Sequence, residues 1–203
     1  MLADLNAAAA GTIVVLHACC HNPTGYDITA AQWDQVIAVV KAKGLTAFLD
    51  MAYQGFGHGI AEDGAVIGKF VAAGLNIFVS TSFSKSFSLY GERVGALSVV
   101  GSSKEETDRV LSQLKIAIRT NYSNPPIHGG AIVAAVLGNP ELRALWEKEL
   151  AEMRVRIKAM RQALVDGLKA AGIERAVRGC SAQPPPPRHR GWAGWSSWCG
   201  SRF

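Results

Sequence analysis

Residues 12–50 read TIVVLHACCHNPTGYDITAAQWDQVIAVVKAKGLTAFLD, two short apolar runs flanking one helical pattern. Residues 12–18 form a β-branched, largely apolar run that breaks into Cys-Cys-His-Asn-Pro-Thr-Gly, the pattern of a buried strand ending in a loop. Thr29 is an N-cap residue, and Trp33, Val36, Ile37 and Val40 recur at helical spacing until Gly44, which predicts a helix. Residues 45–50 are a second short apolar run, ending on the Asp50 carboxylate.

The same alternation continues outward. Residues 62–73 predict another helix closed by Gly74, and residues 75–80 and 93–100 predict a third and a fourth strand. Strands without polar alternation, separated by helices, imply an α/β fold: a partial three-layer α/β/α domain with a mostly parallel sheet covered on both faces. Residues 103–119 predict a helix with Glu105 and Glu106 in its first turn, where acids suit the helix dipole. After the break at Ser123-Asn124-Pro125-Pro126, residues 140–170 start on Pro140 and keep Leu142, Leu145, Trp146, Leu150, Met153, Ile157, Met160 and Leu164 at three-or-four spacing. That is one amphipathic helix, about 45 Å long, suited to bridging two domains or subunits. Past Gly172, four prolines at 184–187 precede RHRGWAGWSSWCGSRF, which has neither a helical nor a strand period. This end is expected to be a disordered tail left by a reading-frame change, or else a proline-rich recognition tail.

Composition narrows the classes. With 203 residues, 49% of them hydrophobic and 18% charged, the chain is an ordinary globular protein of one to one and a half domains, not a disordered, collagen-like or disulfide-scaffold chain. No apolar run reaches the roughly 18 uncharged residues of a membrane span. The first residues carry Asp4 and no basic leader, so a cytoplasmic address and no membrane partner are expected. The net charge of +5 comes from the end of the chain: Arg178, Arg188, Arg190 and Arg202 face no acid there, and the rest holds 17 basic against 16 acidic residues. No basic patch with interleaved aromatics marks a nucleic-acid binder. The cysteines are Cys19, Cys20, Cys180 and Cys199. Structural zinc pairs are spaced more widely, and neighbours on an extended chain point to opposite sides. Cys19 and Cys20 are therefore expected to be small apolar residues at a strand end, free thiols with no metal.

In parallel sheets, ligands bind beyond the carboxyl ends of the strands. The polar residues there are Asn22 after the first strand, Asp50 and Tyr53 after the second, and Ser82, Ser84 and Lys85 after the third, with Arg93 eight residues beyond Lys85. Singly, each also reads as a turn residue, a cap or a solvated charge. Jointly they converge on one crevice. Lys85 sits among small and apolar residues, a setting that desolvates an amine and makes it nucleophilic. Two serines before it and the Arg93 fork after it suit a phosphate, and Asp50 suits a protonated ring nitrogen. An imine-forming lysine, a carboxylate for a pyridinium and a phosphate cup together describe pyridoxal 5′-phosphate.

His21-Asn22-Pro23-Thr24-Gly25, Asp50-x-x-Tyr53, the block from Ser82 to Gly95 (SFSKSFSLYGERVG) and Arg119-x-x-Tyr122-Ser123-Asn124-Pro125-Pro126 resemble, in order and spacing, the fold-type I aspartate and aromatic amino acid aminotransferases over about residues 1–172. The resemblance implies that Lys85 carries pyridoxal phosphate and then moves a proton at the substrate Cα. It implies that Asp50 keeps the ring nitrogen protonated, that Asn22 and Tyr53 bond the ring oxygen, and that Ser82, Ser84 and Arg93 bind the phosphate. Lys85, Asp50 and Tyr53 would be catalytic, with Asn22 also near substrate. Arg119 would reach into the neighbouring subunit's site and pair with the distal carboxylate of a dicarboxylic substrate, and Ser123 and Asn124 would lie in the interface of a homodimer. Residues 1–138 would then be part of the large cofactor-binding domain, 139–172 the interdomain helix and 173–203 a non-family tail. The family's members are about twice this length, so the chain resembles the cofactor-lysine part of such an enzyme cut at both ends. Transamination between amino acids and 2-oxoacids, with low or no activity in this chain, is the expected function. A non-catalytic binding or dimerisation module is the alternative.

Overall fold

The structure, a computed structural model, describes residues 1–173. Of the tail expected over 173–203, residues 174–203, with Cys180 and Cys199, lie outside the described residues. The elements run α1 (Leu2–Ala7), β1 (Ile13–His17), α2 (Ala30–Lys43), β2 (Thr46–Met51), α3 (Ile60–Ala72), β3 (Ile77–Ser82), β4 (Gly95–Val100), α4 (Lys104–Asn121), α5 (His128–Gly138) and α6 (Pro140–Ala170). Local chemistry explains the boundaries. Thr29 and Gln32 form a reciprocal capping box at the start of α2, and Gly44 closes it in the left-handed conformation, which a glycine adopts without strain. Ser103 caps α4 through the Glu106 amide, and the Asn139 side chain accepts from Glu141 and Leu142 ahead of Pro140 in α6. Helices α1 and α5 lack a start signal in the sequence: both begin without a side-chain cap, on Met1 and Ile127.

The sheet order is β1-β2-β3-β4. Strands β1, β2 and β3 are parallel, while β4 runs antiparallel to β3, because no crossover helix joins those two. Helices α1, α2 and α3 cover one face. Leu5, Trp33, Val36, Val40, Val66 and Phe70 pack there on Ala47, Leu49, Met51, Ile77 and Val79. The expectation of cover on both faces is met only on this side among the described residues. On the opposite face Ile13 is 60% exposed, Val15 67% and Leu97 47%, and Phe48 stacks on Phe78 at 5.9 Å. No helix among the described residues is long and apolar enough to cross a membrane.

Register makes one glycine indispensable. Gly95 pairs with Ser82, and a Cβ there would come 2.7 Å from the Thr81 carbonyl oxygen. Backbone cannot yield as a side chain can, so Gly95→Ala is expected to cost about 1–3 kcal/mol, read as a lower urea midpoint. An unchanged midpoint would contradict the β3–β4 register.

Candidate functional site

The site is built where β1, β2 and β3 end. The Ala18 amide donates to the Asp50 carbonyl at 2.9 Å, extending the β1–β2 ladder by one residue. The chain then turns at Cys20, whose φ is 51°. His17 and His21 rings lie 4.6 Å apart, the Asn22 amide donates to His17 Nδ1 at 3.3 Å, and the His21 amide donates to Asp27 Oδ1 at 2.8 Å. These bonds hold the Asn22 loop over the strand ends. Asn22 Nδ2 reaches the Tyr53 hydroxyl at 3.4 Å.

Strand alternation sets the direction of Asp50. It pairs with His17 on β1 and with Ser80 on β3, so its side chain lies on the open face, opposite Leu49 and Met51. Ser80 Oγ donates to Asp50 Oδ1 at 3.3 Å. After β3 the chain wraps around Lys85: Phe87 N donates to Phe83 O at 3.2 Å, and Ser88 N to Lys85 O at 3.1 Å. That turn leaves Lys85 half-buried, with Nζ 4.8 Å from the centroid of the Tyr53 ring, within range of a cation–π attraction. The phenol thus carries Asn22 on its hydroxyl and Lys85 over its face.

The anion-binding candidates divide. The Ser84 amide donates to Ser82 Oγ at 3.3 Å, and Ser84 is buried at 6% exposure. Arg93, exposed and with φ 50°, donates through Nη1 to the Tyr90 carbonyl at 3.0 Å. Arg119 stands apart. It is exposed near the end of α4 and donates to Ser123 Oγ, four residues on. The structure therefore brings together Asn22, Tyr53 and Lys85, sets Asp50 beside Ser80, and leaves Arg119 with the loop it precedes.

Three supports are not visible in the motifs. Asp63 in α3 is 5% exposed and accepts from the amides of Gly55 and Gly57 through Oδ2, at 2.8 and 2.9 Å, and from His58 through Oδ1 at 2.8 Å. It fixes the loop that follows Tyr53. Trp146 in α6 donates to the Ser86 carbonyl at 2.7 Å and stacks on Phe87 at 4.6 Å, bracing the turn that carries Lys85. Arg154 donates to the Gly55 carbonyl at 2.6 Å. The cysteine pair also departs from expectation. The turn at Cys20 brings the two sulfurs to one side, within 4.8 Å of each other and of an Asp63 oxygen.

Residues 1–179 match the family model described as aminotransferase class I and II. The chain is 63% identical over 175 residues to an aspartate aminotransferase of Pseudomonas aeruginosa, and 55% identical over 175 residues to an aromatic-amino-acid aminotransferase of Escherichia coli. Each match covers 86% of this chain and 44% of the relative. Among solved structures, an aromatic-amino-acid aminotransferase from Burkholderia pseudomallei, covalently bound to pyridoxal phosphate, superposes with a TM-score of 0.86 at 68% identity, over 89% of this chain and 45% of that one. A match over most of the chain, agreeing in sequence and fold, settles the kinship: the chain belongs to the aminotransferase class I and II family and spans less than half the length of these relatives.

Proposed function

We propose that this chain provides the cofactor-lysine part of a pyridoxal-phosphate aminotransferase acting on aspartate or aromatic amino acids and a 2-oxoacid. The observation that carries the reading is the half-buried Lys85 amine over the Tyr53 ring, with Asn22 on the same phenol. The donor set fits the cofactor: one amine, one carboxylate on the open sheet face, and two serines with an arginine nearby. Bound there, pyridoxal phosphate supplies an electron sink for the pair left when the substrate Cα loses its proton.

The chain's own residues then have distinct tasks. Lys85 Nζ would hold the cofactor covalently and, once released by the incoming amine, would take the proton from the substrate Cα and return it on the other side of the exchange. Its position over Tyr53 keeps the amine close to one point of the site. Asn22 Nδ2 and the Tyr53 hydroxyl, already bonded, would bind the ring oxygen. Asp50 would hold a proton on the ring nitrogen, with Ser80 fixing its carboxylate. Ser82, Ser84 and Arg93 would hold the phosphate, Arg93 sharing its guanidinium with the Tyr90 carbonyl. Residues 1–138 would belong to the large domain, with α6 as its connecting helix. Arg119, Ser123 and Asn124 would act across a homodimer, Arg119 pairing with the distal carboxylate of a neighbouring subunit's substrate.

A polypeptide of these 203 residues is expected to turn over slowly. Arg119 must give up its bond to Ser123 to reach a carboxylate across a dimer, and a hydrogen bond to a charged partner contributes about 1.5–3 kcal/mol. Imperfect positioning of the reacting groups can cost about a hundredfold more. Amino-group transfer from aspartate or tyrosine to 2-oxoglutarate, with added cofactor, should fall below about 1 per second, the low end of ordinary turnover, and vanish in Lys85→Ala. A rate shared equally by the Lys85→Ala protein would overturn the proposal.

A further inference from the structure

We propose that Cys19 and Cys20 form a dithiol site that chelates one trivalent arsenic centre carrying an organic group. The inference is independent of the cofactor reading. On an extended chain, adjacent side chains diverge, but the positive φ of Cys20 turns its sulfur to the side of Cys19. Both cysteines are free thiols, Cys19 buried and Cys20 half-exposed, so Cys20 is the point of entry. Their sulfurs and an Asp63 oxygen all lie within 4.8 Å.

The donor set decides which element fits. A structural zinc site needs four ligands, and here Asp63 already spends both oxygens on the amides of Gly55, Gly57 and His58. Two sulfurs remain, too few to enclose zinc. An arsenic atom with one carbon substituent completes its three bonds with two sulfurs. The hydrogen bond from the neighbouring thiol lowers the Cys20 pKa and, together with burial, raises that of Cys19. Cys20 is therefore the first nucleophile, since thiolate is the reactive form. With phenylarsine oxide, two S–H bonds break and two As–S bonds form. The arsenic-bound oxygen leaves with both protons as one water, and arsenic stays trivalent.

The test uses the full chain with Cys180→Ser and Cys199→Ser, so that only the adjacent pair is present. Intact mass after phenylarsine oxide should show one phenylarsenic group per chain, retained in excess monothiol and removed by a 1,2-dithiol. Adding Cys20→Ser or, separately, Cys20→Ala should weaken binding at least about a hundredfold, the advantage that linked binding groups commonly give. Circular dichroism checks that each variant is folded. Failure of the Cys180→Ser, Cys199→Ser chain to take up the group, or equal affinity in a folded Cys20 variant, would overturn the proposal.

Discussion

Replacing Lys85 by alanine is expected to abolish the saturable visible absorbance change that added pyridoxal phosphate produces at one equivalent per chain. The turn from Phe83 to Ser88 leaves Lys85 half-buried beside Tyr53, while Lys69 and Lys104 are ion-paired elsewhere. Lys69 pairs with Asp34 at 2.6 Å, and Lys104, with its side chain 80% exposed, pairs with Asp108 at 2.5 Å. Imine formation needs an amine held beside the cofactor's aldehyde, and an exposed surface lysine has no such placement. Lys104→Ala should therefore leave the titration unchanged. Retention of the full absorbance change in Lys85→Ala would place the reactive amine somewhere else.

The second large effect concerns stability. Asp63→Ala removes the acceptor of three backbone amides in one step and leaves the Gly55 donor buried. Hydrogen bonds to an ionised group contribute about 1.5–3 kcal/mol each, and they do not add fully when they share one acceptor. A loss of about 3 kcal/mol or more is expected. With a slope of about 1–3 kcal/mol per molar urea, the midpoint should fall by about 1 M or more. Asp63→Asn should lose less, because its amide oxygen still accepts, but its NH2 group then meets a backbone donor. Midpoints of both variants within about 0.2 M of the parent would mean that Asp63 does not hold the loop after Tyr53.

What the sequence discloses is local. The Thr29 cap, the Gly44 stop and the apolar runs that become β1, β2 and β3 are short-range features, legible within a few residues. The polar residues after those strands are legible for the same reason, because a parallel sheet gathers its strand ends. The convergence of Asn22, Tyr53 and Lys85 follows from that rule. Tertiary supports are not legible. Trp146 bonds a carbonyl sixty residues earlier in the chain, and nothing in its helical spacing distinguishes it from Leu145. Asp63 reads as an ordinary acid in the first turn of a helix, yet it faces inward to three amides. Apolar content alone also makes Ile13 and Val15 read as covered, whereas burial depends on what packs against them. Cys20 shows the limit of pattern arguments most directly, since one backbone angle reverses the side to which its sulfur points.

Chemical fixation of the cofactor tests the role of Lys85 directly. The chain is loaded with one equivalent of pyridoxal phosphate, reduced with borohydride and digested, and the modified peptides are identified by mass spectrometry. A single dominant adduct is expected on the peptide containing Lys85, absent from the Lys85→Ala protein. Adducts spread evenly over Lys41, Lys69, Lys104 and the other surface lysines would contradict it.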